Sequence, residues 1–192
     1  MNVYKRCPIL ENERYRLRLS IKEDAKDLLK TYSDPNAVPF FNADNCHGDD
    51  FYYTTIERMS QAIDFWICAY NNGWFVRWTI IDKQEEIAVG TIEAFRRESN
   101  DYFTDCCLLR LDLHSSYENC DDIAEILSLI VSPSIQIFGC DKVATKAKHI
   151  ATERRKALEK LNFVLSDKKL IGDDGTEYGD YYILKSNPRG GN

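Results

Sequence analysis

Residues 74–95 read WFVRWTIIDKQEEIAVGTIEAF, two runs rich in β-branched and aromatic residues on either side of a short charged stretch. Such runs favour strands, and Lys83-Gln84-Glu85 supplies the turn, so Trp74–Asp82 and Ile87–Phe95 are expected to pair as a hairpin. Downstream, Cys106–Leu113 reads as another strand, entered from the polar loop 98–105. Upstream, Tyr15-Arg16-Leu17-Arg18-Leu19 alternates polar and apolar residues, the pattern of a half-buried strand.

Helices fill the gaps. Ser20 and Glu23 form a capping box for a helix through Ala25, Leu28, Leu29 and Tyr32, which Asp34-Pro35-Asn36 stops. Residues 37–50 read as irregular, with Phe40-Phe41 exposed. Thr54 and Glu57 open a second helix that ends near Asn71-Asn72-Gly73. Ile123–Phe138 has the apolar content of a buried helix, with Gly139 as its stop. Pro133 lies inside it, where proline costs ~3 kcal/mol, and predicts a kink or an early break. Lys142–Ala147 reads as a strand and Thr152–Leu161 as a helix, with Asn162 suited to the left-handed position after it. Phe163–Ser166 and Asp180–Leu184 close the chain as strands around the Gly/Asp-rich loop 172–179. The order β-α-α-β-β-β-α-β-α-β-β, without repeat or linker, predicts one α/β domain over residues 1–186 and a frayed tail, 187–192.

Composition sets the outer bounds. The 192 residues are 44% hydrophobic and 29% charged, enough for a proper core. A net charge of −6 disfavours nucleic acid and anionic membrane as partners. No apolar run approaches the ~20 residues that span a bilayer. The first residues, Met1-Asn2-Val3-Tyr4-Lys5-Arg6, lack the apolar stretch of a signal peptide. The cysteines at 7, 46, 68, 106, 107, 120 and 140 show no C-x-x-C pairing, so reduced thiols in a cytoplasmic protein are expected, without zinc.

Three stretches carry a family likeness: Glu13–Arg18 with Glu23-Asp24-Ala25 and Tyr32–Pro35; Ile80–Lys83 running into Ile87–Ile92; and Leu158–Phe163. In this order and spacing the chain resembles the GCN5-related N-acetyltransferase (GNAT) superfamily, and within it the branch that acetylates ribosomal-protein N-termini. The resemblance implies a single-domain acyl-CoA N-acyltransferase fold, a mixed central sheet of about seven strands flanked by about four helices. It also implies acetyl-CoA as cofactor and a primary amine, on a peptide N-terminus or a small molecule, as acceptor; homodimers are common among such domains. The family's splayed strand falls on Leu109–Leu113, which makes the backbone of Leu111 and Leu113 the coenzyme-binding positions by resemblance; as side chains, both leucines suit the core.

The family's pyrophosphate loop carries Gln or Arg, then glycine three residues on, then Gly or Ala two beyond. Glycine is needed because backbone N–H groups must approach phosphate closely at the positive end of a helix. Aligned on Tyr117, this chain has Glu118, Asp121 and Ile123 at those positions. Asp121 or Asp122 is expected to accept the free N–H groups itself, worth ~1 kcal/mol, and to repel a diphosphate. The family's Asn after the fifth strand falls on Ala151 and its Ser on Arg154, so no catalytic residue carries over.

The residues themselves offer Glu93, Asp112 and His114 as candidate general bases, with burial as the means of raising the pKa of Glu93; a Glu there also suits solvent or a neighbouring Arg. Tyr181 and Tyr182 are candidate proton donors to a leaving group, or packing aromatics. Cys120 near a helix start, with His114 as base, and Cys46-His47 with Asp44, Asp49 and Asp50 are weaker constellations without a supporting motif. Two readings follow: an N-acetyltransferase, or a catalytically degenerate GNAT-fold protein that binds a ligand or a protein partner.

Overall fold

The computed structural model describes residues 2–185; the tail 187–192, expected to fray, lies outside them. Along the chain run β1 (Leu10–Glu11), β2 (Tyr15–Leu19), α1 (Ala25–Tyr32), α2 (Ile56–Asn71), β3 (Val76–Asp82), β4 (Ile87–Arg97) and β5 (Cys106–Leu113). Then follow α3 (Cys120–Phe138), β6 (Lys142–Lys146), α4 (Thr152–Lys160), β7 (Val164–Leu165), β8 (Leu170–Ile171), β9 (Glu177–Tyr178) and β10 (Tyr181–Lys185). Eight strands form one mixed sheet in the order β1-β2-β3-β4-β5-β6-β10-β7, while β8 and β9 pair separately. Among the described residues, only the β5–β6 neighbours in the large sheet are parallel. The expected hairpin is β3–β4.

The period-2 alternation of β3–β5 assigns each side chain to a face. Val76, Trp78, Ile80, Ile92, Leu109, Leu111 and Leu113 join α3 and the Ala157-Leu158 stretch of α4 in the larger core. The opposite face carries α1 and α2, whose Leu28, Tyr32, Met59, Ile63 and Trp66 form a second core. Between the sheet and those two helices lie the polar side chains Arg77, Thr79, Thr91, Glu93 and Asp112, all buried.

Several local expectations need correction. The first helix is entered through Asp24, whose carboxylate accepts from the Ile21 N–H at 3.0 Å, while Ser20 donates its hydroxyl to the Arg77 carbonyl and does not cap. The second helix is capped by Thr55 and not Thr54: its hydroxyl accepts from the Arg58 N–H. α3 passes through Pro133 without a break. Proline removes one N–H donor there, but Leu127, Ile130, Val131, Ser134 and Phe138 are buried on both sides of it, and that packing outweighs the local cost. Gly139 does end the helix, at φ 64°, and Asn162 takes φ 63°. Phe41 is buried at 1% exposure against Tyr32, not exposed. The segment expected as loop 172–179 contains β9, which pairs with β8.

Asp101 fastens the β4–β5 connection to this small hairpin. Its carboxylate accepts from Arg97 at 2.7 Å and from the N–H groups of Phe103 and Ile171, both at 2.8 Å. Burial alone would raise its pKa, but the Arg97 guanidinium and these N–H donors outweigh it and hold the group at about 2. A pKa depressed on folding contributes stability above the unfolded value of about 3.9 that is lost as pH falls toward 2. Asp101→Asn should therefore cost roughly 2 kcal/mol at neutral pH and flatten the acid limb between pH ~4 and ~2 in denaturant titrations. An unchanged acid limb would show that Asp101 is not the group titrating there.

Candidate functional site

β5 and β6 pair from Cys106↔Lys142 to Leu109↔Thr145, and no further. β5 continues to Leu113 on the β4 side alone, while β6 ends at Lys146, so the end of β5 beyond Leu109 has no ladder partner on the β6 side. Strand alternation decides which groups face the opening. The His114 N–H donates to the Val89 carbonyl, and the Asp112 carbonyl lies against Gly90, so both point toward β4. The Leu111 carbonyl is turned the other way, into the gap.

Arg154, in the first turn of α4, enters that gap. Its Nη1 donates to the Leu111 carbonyl at 2.7 Å and to the Phe40 carbonyl at 3.0 Å, and its Nε donates to Glu118 at 2.9 Å. Nη2 donates to the other oxygen of the Glu118 carboxylate, completing a two-point ion pair whose side chains are only 4% and 7% exposed. Four segments meet on one guanidinium.

The entrance of α3 lies beside it. Asn119 caps the helix, its side-chain oxygen accepting from the Asp122 N–H at 3.0 Å. The Cys120 N–H donates to Glu153 at 3.2 Å. The expected capping by Asp121 or Asp122 is thus corrected. Asp122 turns its carboxylate inward to Arg14, to the Tyr15 hydroxyl at 2.8 Å and to the Asn119 amide at 2.6 Å. Asp121 faces solvent and pairs with Lys160 at 2.9 Å. Asn119, in the cap position, reaches the amide with its side-chain oxygen, whereas the partly exposed Arg14 and the buried Tyr15 hydroxyl hold the Asp122 carboxylate elsewhere. On the far side of this entrance a cleft of about 490 Å³ opens between α1 and the β3–β4 turn, lined by Lys30, Thr31, Ala88, Val89, His114 and Tyr117 among others.

Solved structures with this architecture identify it. No family profile and no curated protein sequence matches the chain. An acetyltransferase of the GNAT family from Bacillus anthracis aligns over 93% of this chain and 98% of its own, with a TM-score of 0.68 and 14% identity. A ribosomal α-N-protein acetyltransferase solved in complex with coenzyme A aligns over 93% of this chain and 98% of its own, at TM-score 0.70 and 12% identity. A ribosomal-protein alanine acetyltransferase from Vibrio fischeri covers 95% and 98%, at TM-score 0.68 and 15% identity. The fold is that of the GNAT acetyltransferases.

On the GNAT fold, the candidate residues fall into separate settings. Glu93 is buried between two arginines, accepting from Arg77 at 2.5 Å and from Arg110 at 3.0 Å. Burial pushes its pKa up, but the two guanidinium charges prevail and hold it below the usual carboxylate value. The raised pKa expected of a base is absent at Glu93. Asp112 accepts from Arg77 at 3.0 Å and from the Tyr32 hydroxyl at 2.8 Å, and its Oδ1 is buried without a partner. His114 faces Ser116 and Asp34, the latter at 3.7 Å, rather than Cys120. Tyr181 donates to Asp44 at 3.0 Å, and the Tyr182 hydroxyl accepts from Arg155 at 2.9 Å. Leu111 and Leu113 place their side chains in the larger core.

The weaker constellations come apart. The carboxylates of Asp44 and Asp49 pair with Lys146 and Arg58, both at 2.7 Å, rather than with Cys46 or His47. Among the described residues no group of His, Cys, Asp or Glu is arranged to hold a metal ion. All seven cysteines are free thiols. No helix is long and apolar enough to cross a membrane among the described residues.

Sequence reasoning did not foresee the buried charge row. Arg77, Glu93 and Arg110 are directly opposite one another across β3, β4 and β5, with Thr79, Thr91 and Asp112 as the next row. Arg77 also lies over the Trp66 ring at 4.4 Å. The signal was present as polar residues two apart in three otherwise apolar strands, a pattern that places them on one face.

Proposed function

We propose that this chain keeps the GNAT fold without acetyl-CoA chemistry and serves as a ligand- or protein-binding module. The entrance of α3 carries the reading. Two of its first amides are already satisfied by Asn119 and Glu153, and Glu118, Asp121 and Asp122 put three carboxylates around it. Each of these carboxylates is held by a cation, Arg154, Lys160 and Arg14 in turn, so a diphosphate there would have to break those ion pairs and would find fewer free donors, and these residues do not fit the coenzyme. The cleft beside the entrance is the surface this reading assigns to a ligand.

Thermal unfolding with millimolar acetyl-CoA or CoA tests the reading, and no change in Tm is expected. A true binder at 100 times its Kd gains about 2.7 kcal/mol, roughly 5–10 °C for a domain of this size. A shift of that size would sink the proposal.

A second reading, acetyl transfer to a primary amine of a peptide N-terminus or small molecule, is favoured by one observation, the end of the β5–β6 ladder at Leu109, which leaves the C-terminal part of β5 unpaired on that side. The similar solved acetyltransferases lend it weight. Acetylated product from a panel of peptides with acetyl-CoA would support this reading over the first.

A further inference from the structure

We infer that Arg154, pinned by Glu118, is an internal occupant of the β5–β6 opening, standing where an extended amide chain of the pantetheine type would pair with β5; this rests on the reading of the fold given above. The Leu111 carbonyl is a buried acceptor with no strand beside it, and a buried carbonyl needs a donor. Arg154 supplies one from α4 and at the same time ties down the Phe40 carbonyl and Glu118. The Arg154 side chain and Leu111 are each only 4% exposed, so the carbonyl is shut off from solvent with Arg154 in place. Pairing with Glu118 keeps the buried guanidinium's counter-charge beside it while it satisfies the two carbonyls. The guanidinium thus does what an incoming amide would do: it satisfies the strand edge and closes it.

The block is distinct from the one at α3, and the experiment separates them by using pantetheine, which has no phosphate. Arg154→Ser combined with Glu118→Gln removes the occupant together with its counter-charge. Calorimetry should find that this double variant binds pantetheine at least about tenfold more tightly than the wild type, a difference of about 1.4 kcal/mol. Arg154→Met with Glu118→Met keeps the volume and removes the charge; it is expected to fold and to remain closed to pantetheine. The inference is overturned if the Ser/Gln variant melts cooperatively and gains no affinity, or if the Met/Met variant binds equally well. Loss of cooperative melting in the Ser/Gln variant also counts against it, since the pair would then be a fold-holding element rather than the occupant of a formed slot. Binding of CoA by the wild type would contradict the proposed function, whereas failure of the variants contradicts only this inference.

Discussion

Replacing Arg77 by methionine should lower the unfolding free energy by about 3–5 kcal/mol, the loss expected when one partner of a buried ion pair is removed. The side chain is 2% exposed and serves two carboxylates, Glu93 at 2.5 Å and Asp112 at 3.0 Å, as well as the hydroxyls of Tyr32 and Thr91. Glu93 would keep Arg110, but Asp112 would keep only Tyr32 among these donors. The substitution therefore strands Asp112 more than Glu93. Adding Asp112→Asn to Arg77→Met should recover part of the loss, because an amide is cheaper to bury than a carboxylate. Urea titrations of the single and double variants measure both effects. A single variant within 1 kcal/mol of the wild type would show that the charge row is not a stabilising hub.

Gly90→Ala should cost about 3 kcal/mol, near the upper end for inserting one carbon into a packed core. A Cβ at this position would lie 2.1 Å from the Asp112 carbonyl oxygen and 3.0 Å from the Leu113 Cα, both of them backbone atoms that cannot swing aside. β4 and β5 would have to separate where β5 has no ladder partner on its other side. At 2–4 °C per kcal/mol for a chain of this length, Tm should fall by roughly 6–12 °C. A drop under 2 °C would mean that the strands relax freely at this point. The close approach also explains why β4 carries a glycine within a run of β-branched residues.

Much of this architecture was legible because it is written in local periodicity. The alternation in Tyr15–Leu19, the paired runs around Lys83-Gln84-Glu85 and the stop at Gly139 each depend on neighbours within a few residues, and each element formed where expected. The failures depend on residues far away in sequence. Ser20 turns from the helix start to the Arg77 carbonyl, and the Asp24 carboxylate holds the Ile21 N–H ahead of the helix. Asp122 abandons α3 for Arg14 and Tyr15, more than a hundred positions earlier. Pro133 is tolerated because its helix is buried on both sides of it.

The site divides in the same way. The misfit of Glu118, Asp121 and Ile123 could be read from residue type alone, since no carboxylate substitutes for glycine beside a phosphate. That Glu118 would be neutralised by Arg154, and that Arg154 would reach Leu111, required the fold to bring α4 against the end of β5. Glu93 shows both sides: burial as a means of raising its pKa and a neighbouring Arg as its partner were both open, and the two arginines facing it across adjacent strands decide for the second and hold the pKa down.

The amides of residues 119–123 report directly on whether α3 can seat a diphosphate. Two-dimensional amide NMR of the wild-type protein, titrated with CoA to millimolar concentration, should leave the Cys120 and Asp122 resonances unmoved, because Glu153 and Asn119 already hold those N–H groups. Saturable shifts centred on these two amides, with Glu153 and Asn119 displaced, would contradict the account.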